Sequence, residues 1–110
     1  MLTFVETPTF TGLITGLIND DDFAAFQQEL ADHPERGALL AGCGGVRKAR
    51  MALPGRGKSG GARVIYLYLS HHHTLYLIYV FTKGNADNLS AAGKKAMRNI
   101  AQQIKKESHA

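Results

Sequence analysis

The sequence predicts an α+β domain: a short first strand, two helices, an antiparallel meander of three strands and a closing helix. Three observations predict it. The runs 62–69 (Ala-Arg-Val-Ile-Tyr-Leu-Tyr-Leu) and 75–81 (Leu-Tyr-Leu-Ile-Tyr-Val-Phe) are rich in β-branched and aromatic residues and nearly all apolar. Such runs are strands covered on both faces. The run 46–53 instead alternates charge with small apolar residues, which reads as a neighbouring strand with one cationic face. Before and after these runs, apolar residues recur at helical spacing. Helices packed on a small antiparallel or mixed sheet satisfy all three.

The first strand is placed at Leu2 to Val5. Thr7 is the expected N-cap of a helix with Pro8 at its first position. Phe10, Leu13, Ile14, Leu17 and Ile18 give that helix an apolar stripe. Gly12 and Gly16 weaken it by about 1 kcal/mol each relative to alanine and suggest close approach of a neighbour. Asn19 or Asp20 caps a second helix, whose apolar face is Phe23, Phe26 and Leu30. The aspartates at 20–22 complement the positive end of the helix dipole. Consecutive helical residues point about 100° apart, so these three do not converge on one metal ion. His33-Pro34 ends the helix, because the residue before proline leaves the α region.

Residues 35–45 read as a loop. In the charged strand Lys48 and Arg50 share one face, and Arg47, Ala49 and Met51 share the other. The stretch 54–61 is a basic glycine-rich loop. Its Gly57-Lys58-Ser59 lacks the glycine five positions earlier, where Ala52 stands, and a strand follows where a helix should. The phosphate-binding loop of nucleotide hydrolases is therefore not the reading; phosphate contact by Arg56 and Lys58 remains open. Ser70 to Thr74 is a solvated hairpin tip, where an extended edge would put only His71 and His73 on one side. Ser90 is the expected N-cap of the last helix, whose narrow stripe is Met97, Ile100 and Ile104, with Ala96 and Ala101 at its margins.

At 110 residues, 1–110 is expected to be one domain with one modest core. Cys43 is the only cysteine, which excludes an intrachain disulfide; between Gly42 and Gly44 it reads as a small turn residue. No stretch approaches the roughly 20 apolar residues of a membrane span. The first six residues lack a signal-peptide pattern, so the expected location is cytoplasmic, without membrane contact. The net charge of +4 hides a split. Residues 1–35 hold seven acidic and no basic side chains, giving −7; residues 36–110 hold thirteen basic against two acidic, giving +11. The basic part points to a polyanionic partner.

Several of these segments resemble the RelE/HigB toxins of bacterial toxin–antitoxin pairs. The carriers are Gly44-Gly45-Val46-Arg47-Lys48-Ala49-Arg50, the run 57–66 from Gly57 to Tyr66, and Phe81-Thr82-Lys83-Gly84. The likeness covers nearly the whole chain and is most specific at Gly60-Gly61-Ala62-Arg63-Val64-Ile65-Tyr66. It is nearest to the HigB branch, which has a long Gly/Lys-rich loop. The resemblance implies a RelE-like fold, similar to small microbial ribonucleases, with two N-terminal helices and one C-terminal helix. It also implies cleavage of mRNA on the ribosome, silencing by a cognate antitoxin of helix-turn-helix type, and contact with operator DNA only through that antitoxin. No cofactor and no metal are expected. Carried over by position, Lys48, Arg50, Arg63 and Lys83 are the catalytic candidates. Arg47, Arg56, Lys58, Lys94, Lys95 and Arg98 are the candidates for RNA and ribosome binding. Relatives often carry a tyrosine near the C-terminus as general base, and here no tyrosine follows Tyr79.

The residues alone fit the same chemistry. Cleavage of RNA by its own 2′-OH needs the negative charge on the phosphorane stabilised, and Arg and Lys supply that. No carboxylate falls within 36–83, and outside the tip the histidines, His33 and His109, stand at element ends. Like-charge repulsion favours a neutral lysine, which makes Lys48 or Lys83 the candidate base. The alternative function is a non-catalytic RNA- or DNA-binding protein using the same basic face.

Overall fold

The computed structural model describes residues 2–54, 61–82 and 90–108. In chain order the elements are β1 (Thr3–Glu6), α1 (Pro8–Ile14), α2 (Asp20–Asp32), β2 (Ala38–Leu39), β3 (Arg47–Met51), β4 (Ala62–Leu69), β5 (Thr74–Thr82) and α3 (Ala91–Ser108). The strands form one sheet in the order β1-β5-β4-β3-β2. β1 runs parallel to β5, and the other pairs are antiparallel. The expected order of elements holds, with β2 added as a two-residue edge inside the stretch read as loop.

The central strands are covered on both faces, which is why 62–69 and 75–81 are apolar throughout. One core joins Phe10, Ile14, Phe26 and Leu30 of the first two helices to Ala49, Met51, Val64, Tyr66, Leu75, Leu77 and Val80 of the sheet. The other joins Met97 and Ala101 of α3 to Cys43, Val46, Ile65, Leu67, Ile78 and Phe81. A bulge sets the phase of β5. Tyr66 faces Leu77 and Ile65 faces Tyr79, so Ile78 is an extra residue. This lets Leu77 and Val80, three apart, share a face. The Thr7 hydroxyl donates to the Ile78 carbonyl at 2.8 Å and accepts from the Phe10 N–H, tying the start of α1 to the bulge.

Helix α1 ends at Ile14, earlier than its stripe suggested. Leu13 is 39% exposed, and Leu17 and Ile18 pack from the connecting turn. A Cβ on Gly12 or Gly16 would meet nothing within 4 Å, so these glycines shorten the helix without admitting a neighbour. Asn19 caps α2 by accepting from the Asp22 N–H at 2.8 Å, and Ser90 caps α3 through the Gly93 N–H at 3.1 Å. On α3, Ala101 rather than Ala96 belongs to the buried stripe. Its methyl lies where the loop before β3 presents Gly44 at φ +73°, and a Cβ there would come within 3.2 Å of it. Two α3 side chains secure the same loop: Arg98 donates to the Gly42 carbonyl at 3.1 Å, and Lys105 to the Gly44 carbonyl.

The stretch between α2 and β2 is strapped to the sheet. The Tyr66 hydroxyl donates to the Pro34 carbonyl at 2.8 Å and accepts from the Gly37 N–H at 2.9 Å. Arg47 donates to the Glu35 and Gly37 carbonyls at 2.9 and 2.7 Å and pairs with the Glu35 carboxylate at 3.5 Å. Arg36 pairs with Glu29 on α2 and donates to the Arg50 carbonyl.

Candidate active site

The site is built by strand register. The Leu40 N–H donates to the Val46 carbonyl. Backbone groups of 46, 48 and 50 therefore turn toward β2, and those of 47, 49 and 51 toward β4. Arg50 on β3 stands directly opposite Arg63 on β4, as a non-hydrogen-bonded pair. Their Cα atoms are then about 4.5 Å apart, the closer of the two antiparallel spacings. Lys48 faces Ile65, so it is the diagonal neighbour of Arg63, with about 7 to 8 Å between backbones. The three cations form a triangle on the face that α3 packs against.

Beyond Arg63 in the same row lies Phe81, and beyond Ile65 lies Tyr79. Their rings are tilted by 36° at 6.0 Å, an aromatic pair beside the arginine pair. The rows Lys48–Ile65–Tyr79 and Arg50–Arg63–Phe81 contain no acid. Like charges directly opposite on two strands destabilise a sheet. Their juxtaposition makes chemical sense where an anion sits over them, and arginine forks suit the paired oxygens of a phosphate.

Other candidates lie elsewhere. Arg47 points to the opposite face, engaged by Glu35 and Gly37. Arg98 is committed to the Gly42 carbonyl. Lys94 and Lys95 are exposed on the first half of α3. Arg56, Lys58, Lys83 and His109 lie outside the described residues. The tip forms a 3-10 turn over Ser70–His72, with His73 in the left-handed region at φ 48°. All three histidines are exposed, and among the described residues no group of three or more His, Cys, Asp or Glu could hold a metal ion. Cys43 is buried in the α3-side core. The arrangement can bind and neutralise a phosphate; its described strand rows offer no carboxylate or imidazole to move a proton.

One contact had no signal in the sequence. Arg36 reaches the Arg50 carbonyl, and its partners lie seven and fourteen positions away. The acidity of Tyr66 is shifted. Burial raises its phenol above the ordinary 10.0, with the Gly37 hydrogen bond and the Arg47 and Arg36 charges opposing.

A mixed five-stranded sheet with two helices on one face and one on the other is the architecture of a small bacterial toxin fold. The isolated E. coli RelE toxin matches with a TM-score of 0.59 at 16% identity, over 91% of this chain and 99% of that one. The intact E. coli RelBE toxin–antitoxin complex has a chain that matches with a TM-score of 0.58, also at 16% identity, over 73% of this chain and 94% of that one. A sequence model of the RelE toxin of the RelE/RelB toxin–antitoxin system matches residues 18–110. The chain belongs to the RelE toxin family. Among its described residues no helix is long and apolar enough to cross a membrane.

Proposed function

We propose that this toxin is a ribosome-dependent mRNA endonuclease, held inactive by a cognate antitoxin. The observation that carries the reading is the register of Arg50 against Arg63, with Lys48 on the diagonal. Lys83, which follows β5 in sequence, is proposed as the fourth cation. In the reaction the 2′-OH of the substrate attacks the adjacent phosphorus. The O2′–P bond forms, the P–O5′ bond breaks, and the 2′ proton leaves as the 5′ oxygen gains one. Arg50 and Arg63 bind the non-bridging oxygens, where negative charge grows in the phosphorane. Lys48 is the proposed base.

General acid and base groups usually contribute roughly 10² to 10⁴ each. With no carboxylate or imidazole in the rows of the site, positioning of the mRNA by the ribosome supplies part of the rate. The exposed Lys94 and Lys95, with Arg56 and Lys58, are proposed to contact ribosomal RNA. The resemblance to the HigB branch read from the sequence is itself proposed, and with it an antitoxin of the helix-turn-helix type through which alone operator DNA is reached.

The test compares purified protein on naked mRNA and on translating ribosomes. Cleavage on ribosomes with little on naked RNA is expected, and Arg63→Ala should lose it while staying folded. Equal cleavage of both substrates would point to a free ribonuclease. Tight RNA binding with cleavage of neither would favour the non-catalytic alternative.

A further inference from the structure

We propose that Arg36 is a positioning residue for this site: its guanidinium fixes the strand edge that carries Arg50. The inference rests on the assignment of Arg50 to the reaction. β2 begins at Ala38, opposite Lys48, so no β2 residue reaches the level of Arg50. Ladder alternation turns the Arg50 carbonyl toward that same side. There the Nη2 of Arg36 donates to it at 3.1 Å. The Nη1 of Arg36 donates to the Glu29 carboxylate on α2, and the guanidinium lies 5.9 Å from the centre of the Phe26 ring. The Arg36 N–H donates to the His33 carbonyl at 3.1 Å, which fixes the base of the side chain.

Each contact has a consequence at the site. Arg50 and Arg63 stand as like charges across β3 and β4, and the ladder bonds of Ala49 and Met51 hold the two strands together on either side of them. Before the start of β2, the Arg36 fork holds the β3 edge to α2 at the Arg50 level. It does so through the backbone carbonyl. A planar fork spans a carboxylate and a carbonyl together; a lysine ammonium is a point donor. Without it the Arg50 peptide is held only through its β4 neighbours, and phosphorane stabilisation depends on how that peptide aims the Arg50 side chain.

Single-turnover cleavage on programmed ribosomes tests this, followed for hours so that slow variants still give a rate. Arg36→Met keeps an unbranched apolar side chain at this position and removes the fork. Its maximal rate should fall about tenfold or more, with the half-saturating ribosome concentration changed less than about twofold. On an Arg50→Ala background the same substitution should cost less than about twofold, because both act through one contact. Glu29→Gln, at a solvent-exposed carboxylate, is a second arm that leaves the fold intact. It should lower the rate severalfold in the parent and not in Arg50→Ala. A parental rate for both Arg36→Met and Glu29→Gln overturns the proposal. So does an Arg36→Met loss that repeats in full on Arg50→Ala, which marks a general structural role. Parental cleavage by Arg50→Ala itself removes the assignment of Arg50, and this inference with it.

Discussion

Tyr66 shows how much one side chain settles. It lies fully buried in the core beneath α1 and α2, and its hydroxyl closes two hydrogen bonds to the strap between α2 and β2. Tyr66→Phe leaves the Gly37 N–H and the Pro34 carbonyl without that partner, and should cost about 1 to 3 kcal/mol in urea unfolding. Burial raises the phenol above 10.0. The folded state therefore holds this proton more tightly than the unfolded one. The resulting stability is complete below the ordinary value and is lost as pH rises through the folded value. Urea midpoints of the parent should thus fall above about pH 10, with a smaller fall in Tyr66→Phe. An equal alkaline fall in both proteins would assign it to other groups. The glycine opposite is fixed by the same ring. A Cβ on Gly37 would lie 2.8 Å from both a ring carbon and the hydroxyl oxygen of Tyr66, so Gly37→Ala should destabilise by a similar amount.

At the scale of elements, α3 depends on one small contact with the loop before β3. Gly44 combines φ +73° with a close approach to the Ala101 methyl. Gly44→Ala adds backbone strain of about 1 to 3 kcal/mol and presses on the helix. Amide protons of α3 should then exchange faster, while those of β4 change little; equal loss in both would mean that the domain opens as one unit. Such contacts also explain what the sequence could and could not disclose. The cap of α1 at Thr7, a cap of α2 at Asn19 or Asp20, and the shared face of Lys48 and Arg50 follow from local chemistry, and were readable. The early end of α1 was not, because an apolar residue such as Leu17 packs from a turn as well as from a helix. The bulge at Ile78 was hidden for a different reason: a run apolar on both faces carries no phase. β2 has two exposed residues and no pattern to read. Arg47 and Arg98 look like free cations in sequence. Their carbonyl partners, Glu35, Gly37 and Gly42, lie 12, 10 and 56 positions away. Face sharing within β3 was legible, whereas the opposition of Arg50 to Arg63 required the register between strands.

For the whole molecule, the charge split along the chain becomes a split in space. The acids of α2 lie on the layer that covers one face of the sheet, and Lys48, Arg50, Arg63 and α3 belong to the other. A polyanion is drawn to the α3 side and repelled from the α2 side, so charge orients the encounter before any specific contact forms. Basic residues nevertheless divide into two kinds. Arg98 and Lys105 hold backbone carbonyls of the fold, whereas Lys94 and Lys95 stand exposed. Released counterions make affinity fall with salt, with a slope set by the number of phosphates neutralised. Lys94→Ala with Lys95→Ala should therefore flatten the salt dependence of ribosome binding by about 1 to 2 units of slope, without changing thermal stability. Arg98→Ala should do the reverse, lowering stability while leaving the slope nearly parental, because its guanidinium is already engaged by Gly42. Binding titrations across a salt series, paired with melting curves, separate the two. A double lysine variant with the parental slope would remove this half of α3 from the proposed ribosome contact and confine the proposed electrostatic footprint to the sheet and its loops.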